Sequence, residues 1–316
     1  MMGGKKKACY LTVVLLVFSM LSPMVLAGAA QPNKSPPTLD TWLPPKDFVD
    51  PVTLKIQEFK TQGLKEEQIT AQLEKLGMGW YPETGATWVG RALTPEEAAE
   101  MPAPTLAKPP AKEEMALRTV SRTSCMRTSS ASWTGVASDV VSGSMSVSSQ
   151  GTQYHYLCVQ LGSLDSASNW VETVLTHNYG QSYKWYTYDN DEGGFSYYAN
   201  KNTATSTADN YVIMLDGTRD GSGWNYDIWI NQQWVRSGHL SSLWVQAGFQ
   251  KEVYSNSGQF TNDGSHSVFY KNWLHNAQGW PYWTSSVSTW WSSSNPVRIS
   301  HYMATSSYLF ETWVQN

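Results

Sequence analysis

Cysteine is scarce in this chain: Cys9, Cys125 and Cys158 are all that its 316 residues hold. Cys9 sits in the leader described below, and the remaining two are too few for a disulfide scaffold, so the fold must rest on its own core. An oxidising compartment permits a bridge between Cys125 and Cys158. Charge is also thin. Lys and Arg number 22 against 26 Asp and Glu, a net charge of −4, and the C-terminal part carries no basic stripe, which argues against nucleic acid as a partner. The six histidines (His155, His177, His239, His266, His275, His301) show no paired ligand spacing, so neither a metal nor any other cofactor is expected. No G-x-S-x-G motif marks a serine nucleophile.

Long apolar runs are missing everywhere but at the start. In "MMGGKKKACYLTVVLLVFSMLSPMVLAGAA", three lysines precede an apolar stretch and then small residues suited to cleavage. Residues 1–29 are read as a signal peptide, giving a secreted protein with no membrane attachment after cleavage. Nothing later approaches the ~20 apolar residues that a membrane-spanning helix needs.

Composition changes near residue 117. Residues 30–117 are rich in Pro, Lys, Glu and Ala, with apolar residues at helical spacing in "VTLKIQEFKTQG" and "LKEEQITAQLEKLG". Gly63 and Gly77 are expected to stop these two helices. Proline-rich tracts on either side suggest a small helical segment tethered by linkers. In residues 118–316, Trp, Tyr, Ser, Thr, Asn and Gly dominate, and thirteen of the sixteen tryptophans lie beyond residue 130. Short β-rich runs recur, among them "SWTGVASDV", "SGSMSVSS", "TQYHYLCVQLG", "NWVETVLTHN", "WNYDIWINQQWV" and "LWVQAGFQKEVYS". They predict an all-β domain, an antiparallel β-sandwich of jelly-roll type, preceded by the small helical segment.

So few acids in the β-domain make each one informative. From residue 118 onward the only glutamates are Glu172, Glu192, Glu252 and Glu311. Glu192 lies in "YDNDEGG", a solvated turn by composition, and Glu311 is expected on an exposed face of the last strand. Glu172 and Glu252 sit inside aromatic, strand-like runs eighty residues apart. Brought together on one concave face, two carboxyls push their pKa values apart and supply an acid and a base from one residue type. Two half-exposed strand glutamates with no joint role are the plainer alternative.

Three blocks then occur in a known order. "SWTGVASDVVSGSMSVSS", "LCVQLGSLDSASNWVETVLTHNYGQSYKWYTYDND" and "SSLWVQAGFQKEVYSNSGQFTNDG" resemble successive blocks of the eqolisin glutamic peptidases and of the related neprosins, over most of residues 131–270. Where eqolisins carry a catalytic Gln this chain has Glu172, as the two-glutamate neprosins do; Thr187 replaces an acid of the eqolisin aromatic run. The resemblance implies a concanavalin-like jelly roll with Glu172 and Glu252 as the catalytic pair. It also implies Trp133, Trp170, Trp185 and Tyr188 around a polypeptide substrate, and residues 30–117 as a propeptide that inhibits its own enzyme. In that scheme one Glu activates water and the protonated other steadies the oxyanion, which favours acid pH. Two rivals share the aromatic face: a jelly-roll glycoside hydrolase and a non-enzymatic, lectin-like carbohydrate-binding domain.

Overall fold

The computed structural model describes residues 48–102, 104, 122–130, 132–166, 168–192, 194–219, 222–242, 244–284, 287–291, 296–304 and 307–316. The leader and the composition boundary near residue 117 lie outside them. Among the described residues no helix is long and apolar enough to cross a membrane.

The helical spacing in the N-terminal segment is realised. Helix α1 (Pro51–Thr61) opens with Pro at its start and with the Asp50 carboxylate accepting the Val52 and Thr53 N–H groups at 3.0 and 2.8 Å. Helix α2 (Glu66–Lys75) follows, and Gly63 and Gly77, each at positive φ, end the two as expected. The segment is not a tethered appendage, however. Its short strands β1 (Met78–Trp80) and β2 (Thr87–Val89), then β3 (Arg91–Ala92) and helix α3 (Pro95–Glu100), are woven into the β-domain.

That domain contributes β4 (Arg122–Ser129), β5 (Gly135–Val141), β6 (Tyr154–Gly162), β7 (Trp170–Asn178), β8 (Lys184–Asp189), β9 (Gly194–Asn200) and β10 (Ala208–Arg219). There follow β11 (Trp224–Ile230), β12 (Gln233–Leu240), β13 (Gln246–Tyr254), β14 (Ser267–His275), β15 (Val287–Trp291), β16 (Val297–Ala304) and β17 (Ser307–Val314). A nine-stranded sheet runs β1-β2-β12-β11-β10-β5-β14-β17-β16 and an eight-stranded sheet runs β15-β4-β13-β6-β7-β8-β9-β3. Neighbouring strands are antiparallel, as the sandwich expectation requires.

Between the sheets lies the main core, with Leu157, Val159, Leu161, Val171, Leu175, Ala247 and Phe249 from one side and Val136, Ile213, Ile228 and Phe269 from the other. On the outer face of the nine-stranded sheet, Val52 and Ile56 of α1 and Ile69 and Leu73 of α2 pack with Ala137, Val212, Trp229, Trp234 and Trp273. The N-terminal segment thus adds β2 to one sheet through β12 and β3 to the other through β9.

Two expected strands are corrected. "SGSMSVSS" forms turns and irregular chain, because its backbone bonds outward to the 261–265 loop, the Ser146 N–H to the Asp263 carboxylate among them. "WNYDIWINQQWV" is a hairpin rather than one strand. Asn231 and Gln232, both at positive φ, turn the chain between β11 and β12 so that Trp229 faces Trp234.

Candidate active site

Alternation along three adjacent strands decides what reaches the outer face of the eight-stranded sheet. On β6, Leu157, Val159 and Leu161 enter the core, so Tyr156, Cys158 and Gln160 point away from it. On β7 the outward residues are Trp170, Glu172 and Val174, and on β13 they are Gly248, Gln250 and Glu252. Cross-strand pairing fixes their levels: Gly248 faces Gln160, which faces Glu172, which faces Tyr188. Further along, Gln250 faces Cys158, which faces Val174, and Glu252 faces Tyr156, which faces Thr176. The two glutamates therefore share one face, as expected, but they are not side by side. Two ladder steps and four residues put their α-carbons about 16 Å apart.

Both are buried, Glu172 completely and Glu252 to 1% exposure, yet their surroundings differ. Glu172 receives one hydrogen bond, from Gln160 Nε2 to Oε2 at 2.8 Å, while its Oε1 has no partner. Burial pushes its carboxyl up to about 8; the charge of Glu252 adds to this, and Gln160, Cys158 and Trp170 offset part of it. Glu252 instead holds an ion pair, Arg122 Nε to Oε1 at 3.0 Å, and accepts Gln250 Nε2 at 3.4 Å. An adjacent guanidinium favours the ionised carboxylate. One carboxyl is thus pushed toward its neutral form by burial, and the other is paired with a cation.

The rim is aromatic. Trp170 and Tyr188 approach with ring centroids 5.9 Å apart and pack with Met126 and Leu164. Gly248 makes room for this cover, since a Cβ there would lie 2.6 Å from the Leu164 side chain. Gln160 Oε1 and Trp170 Nε1 are buried without hydrogen-bond partners, as is Glu172 Oε1. Each such atom calls for an explanation, and a catalytic role is one.

Part of the same face is roofed by the N-terminal segment. The Thr94 hydroxyl and Glu97 close a capping box on α3, and Arg91 grips Glu97 at 2.5 and 2.6 Å while lying over the Tyr197 ring. Beyond α3, Met101 packs against Tyr156, Cys158, Val174 and Tyr186, and the Tyr156 hydroxyl donates to the Pro102 carbonyl at 2.8 Å. A cavity of about 450 Å³ continues beside this strap, lined by Glu100, Pro102, Arg122, Tyr154, Tyr254 and Asn256 among others.

Of the expected substrate residues, Trp170 and Tyr188 lie with Glu172. Trp185 does not: it faces Leu175 across the ladder, joins the inter-sheet core and donates its indole N–H to the Tyr211 hydroxyl at 2.8 Å. Trp133, in the chain before β5, also packs against that core. The permitted disulfide is absent, for a topological reason. Cys125 faces Lys251 and belongs with Val253, Val297 and Val314, whereas Cys158 faces Gln250 on the opposite side of the sheet. Both thiols are buried and free. Glu192 is no solvated turn. Its carboxylate accepts the His239 N–H at 2.8 Å beside the buried Arg236, and burial pushes its carboxyl up to about 7. Glu311 lies on a partly exposed face near His266. Arg122 and Tyr156 were missed because nothing in their local sequence separates them from other strand residues; only the pairing of distant strands sets them beside Glu252. Among the described residues no three His, Cys, Asp or Glu side chains gather as metal ligands.

No protein-family model matches the sequence, and no curated protein does. Solved structures with a related course of chain include scytalido-glutamic peptidase bound to a peptide-based transition-state analogue. It has a TM-score of 0.43 and 11% identity, over 61% of this chain and 97% of that one. SCP-B, a member of the eqolisin family of peptidases in complex with the tripeptide Ala-Ile-His, gives a TM-score of 0.38 and 11% identity over the same shares. A 1,3-alpha-1,4-beta-D-galactose-4-sulfate-3,6-anhydro-D-galactose 4 galactohydrolase gives 0.24 and 7%, over 67% of this chain and 86% of that one. Function has to be read from the site itself.

Proposed function

We propose that the protein is a secreted glutamic peptidase, made as a precursor and active in acid, with Glu252 as the base and Glu172 as its neutral partner. One observation carries the reading. Two buried glutamates of opposite character, one ion-paired and one held neutral, share an aromatic sheet face on which a stretch of the chain's own peptide backbone is already seated. Unequal carboxyls are what acid–base hydrolysis requires.

The chemistry follows from these charges. Ionised Glu252 takes a proton from water as the water oxygen bonds to the peptide carbonyl carbon, and the C=O electron pair moves onto oxygen. A neutral donor beside Glu252 steadies that oxyanion, and protonated Glu172 stands farther along the same face. Collapse of the intermediate breaks the C–N bond, and the proton held by Glu252 passes to the leaving amine. Arg122, ion-paired with Glu252 at 3.0 Å, stabilises the carboxylate form that the base must have. Glu172 keeps its proton up to about 8 while it stays buried, so loss of that proton sets the alkaline limit of activity. The leader and the proline-rich tracts support secretion and a cleavable prosegment.

The test is incubation of the purified protein at pH 3 to 7 with a denatured protein substrate, following both chains by mass spectrometry, beside Glu172→Gln and Glu252→Gln. Expected are cleavage of the protein's own N-terminal segment and of the substrate in acid. Loss of the base lowers turnover by about 10³-fold, within the range such groups contribute. An intact substrate at every pH, with the segment displaced, refutes the reading and turns attention to glucan and xylan.

A further inference from the structure

The register leaves a gap in the two-glutamate scheme. Glu172 stands four residues away from the level of Glu252, whereas Tyr156 is the residue directly opposite Glu252 on the neighbouring strand and the same face. Directly opposed residues have Cβ atoms about 5 Å apart. Tyr156 is also the side chain that already holds a peptide carbonyl, that of Pro102, at 2.8 Å. Apart from the strap, its ring is held by Cys158, Val174 and Tyr186, and by Phe195 at a centroid distance of 6.0 Å. The hydroxyl therefore meets an incoming carbonyl without reorganisation.

Resting on the peptidase reading, we propose that Tyr156 is a third catalytic residue: its phenolic O–H donates to the carbonyl oxygen of the substrate peptide and to the oxyanion formed as water adds beside Glu252. In the covered protein the Pro102 carbonyl takes that place. The groups around the hydroxyl are Glu252, Arg122, Cys158 and Tyr154, with Glu100 of α3 beyond Tyr154. Burial foremost, and the neighbouring Glu252 charge, push the phenol well above its ordinary value, so it stays protonated across the working range. Unlike Glu172, a phenol remains a donor throughout the acid and neutral range. The cavity beside the strap gives an extended chain room to continue past Tyr154 and Tyr254.

A simpler role is to anchor the strap and nothing else, and kinetics separate the two. Tyr156→Phe keeps the ring and its packing and removes only the donor. With the N-terminal segment cut and displaced, kcat on a peptide substrate should fall about 100-fold, the usual loss of one oxyanion donor, while KM stays within about threefold. If kcat stays within about threefold of the parent while Glu252→Gln is inactive, Tyr156 is an anchor only and the peptidase reading survives. A parent that cleaves no peptide overturns both. Should Tyr156→Phe melt early, fluorotyrosine at position 156 keeps the hydrogen bond and strengthens the acid; an unchanged kcat would then overturn the proposal, and a changed kcat with constant KM would support it.

Discussion

The same N-terminal segment covers the outer faces of both sheets, and the two covers are built differently. On the nine-stranded sheet two helices lay Val52, Ile56, Ile69 and Leu73 onto Trp229, Trp234 and Trp273, an apolar joint with the character of a core. On the eight-stranded sheet a short helix and a single turn of strap offer Met101 and one backbone carbonyl to a face bearing Tyr156, Cys158, Glu172 and Glu252. The first contact buries surface that would be costly to return to water, and the second withholds polar groups from it. A cut after the strap should therefore free the site without releasing the helices. The cleaved segment is expected to stay bound through the back of the molecule, which native mass spectrometry of the processed protein checks directly.

The largest stability effect should come from the front face. Glu172 has a folded pKa of about 8 against an ordinary 4.5. Below 4.5 both folded and unfolded chains carry the proton, and nothing is lost. Between 4.5 and 8 the unfolded chain gives up its proton and the folded one keeps it, so stability falls as pH rises; above 8 the whole penalty applies. The full difference is on the order of 5 kcal/mol. Glu172→Gln should remove it, raising the melting temperature at pH 8 while leaving that at pH 4 nearly unchanged. Equal shifts at both values would show that Glu172 is ionised in the folded state and would erase the contrast with Glu252.

A smaller effect tests the back. Leu73 is fully buried beneath the tryptophans, and Leu73→Ala should cost about 3 kcal/mol in denaturant unfolding. Peptide turnover by the processed enzyme should be unaltered, and the cleaved segment should now dissociate. If Leu73→Ala instead activates the uncut protein, the back joint controls the front face and the two covers act as one.

Alternation and punctuation in the sequence make much of this legible. The pairing of Glu172 with Glu252 was carried by the family resemblance, whereas the helix spacing, the stops at Gly63 and Gly77 and the sandwich depend on local pattern. Trp185 could have been excluded on the same grounds: it stands three residues from Tyr188, and an odd separation on one strand puts the two on opposite faces. What local sequence could not supply is register between distant strands. That register sets Glu252 level with Tyr156 rather than Glu172, parts Cys125 from Cys158, and buries Glu192 under a guanidinium from β12. Strand β4 was hidden for a related reason. "RTSCMRTS" is polar but for Cys125 and Met126, and pairing with β13 and β15 on either side makes it a buried strand.

Met101 should give the smallest effect and the most discriminating one. It is 8% exposed at the end of a six-residue helix, so the space left by Met101→Ala can partly close, and the cost should be about 1.5 kcal/mol, below the usual range for a core methionine. Where that cost falls matters more than its size. If the strap opens locally while the sandwich stays folded, the loss appears as roughly tenfold faster amide exchange at residues 99–101, with little change in global unfolding. Self-cleavage in acid should begin sooner by a similar factor, because the opened strap is the state in which Tyr156 and Glu252 meet a different peptide. A drop in global stability matching that of Leu73→Ala, with exchange in the strap unchanged, would mean that the front cover is as much a part of the core as the back one. Uncovering the carboxyls would then require unfolding the protein, which no working precursor can afford.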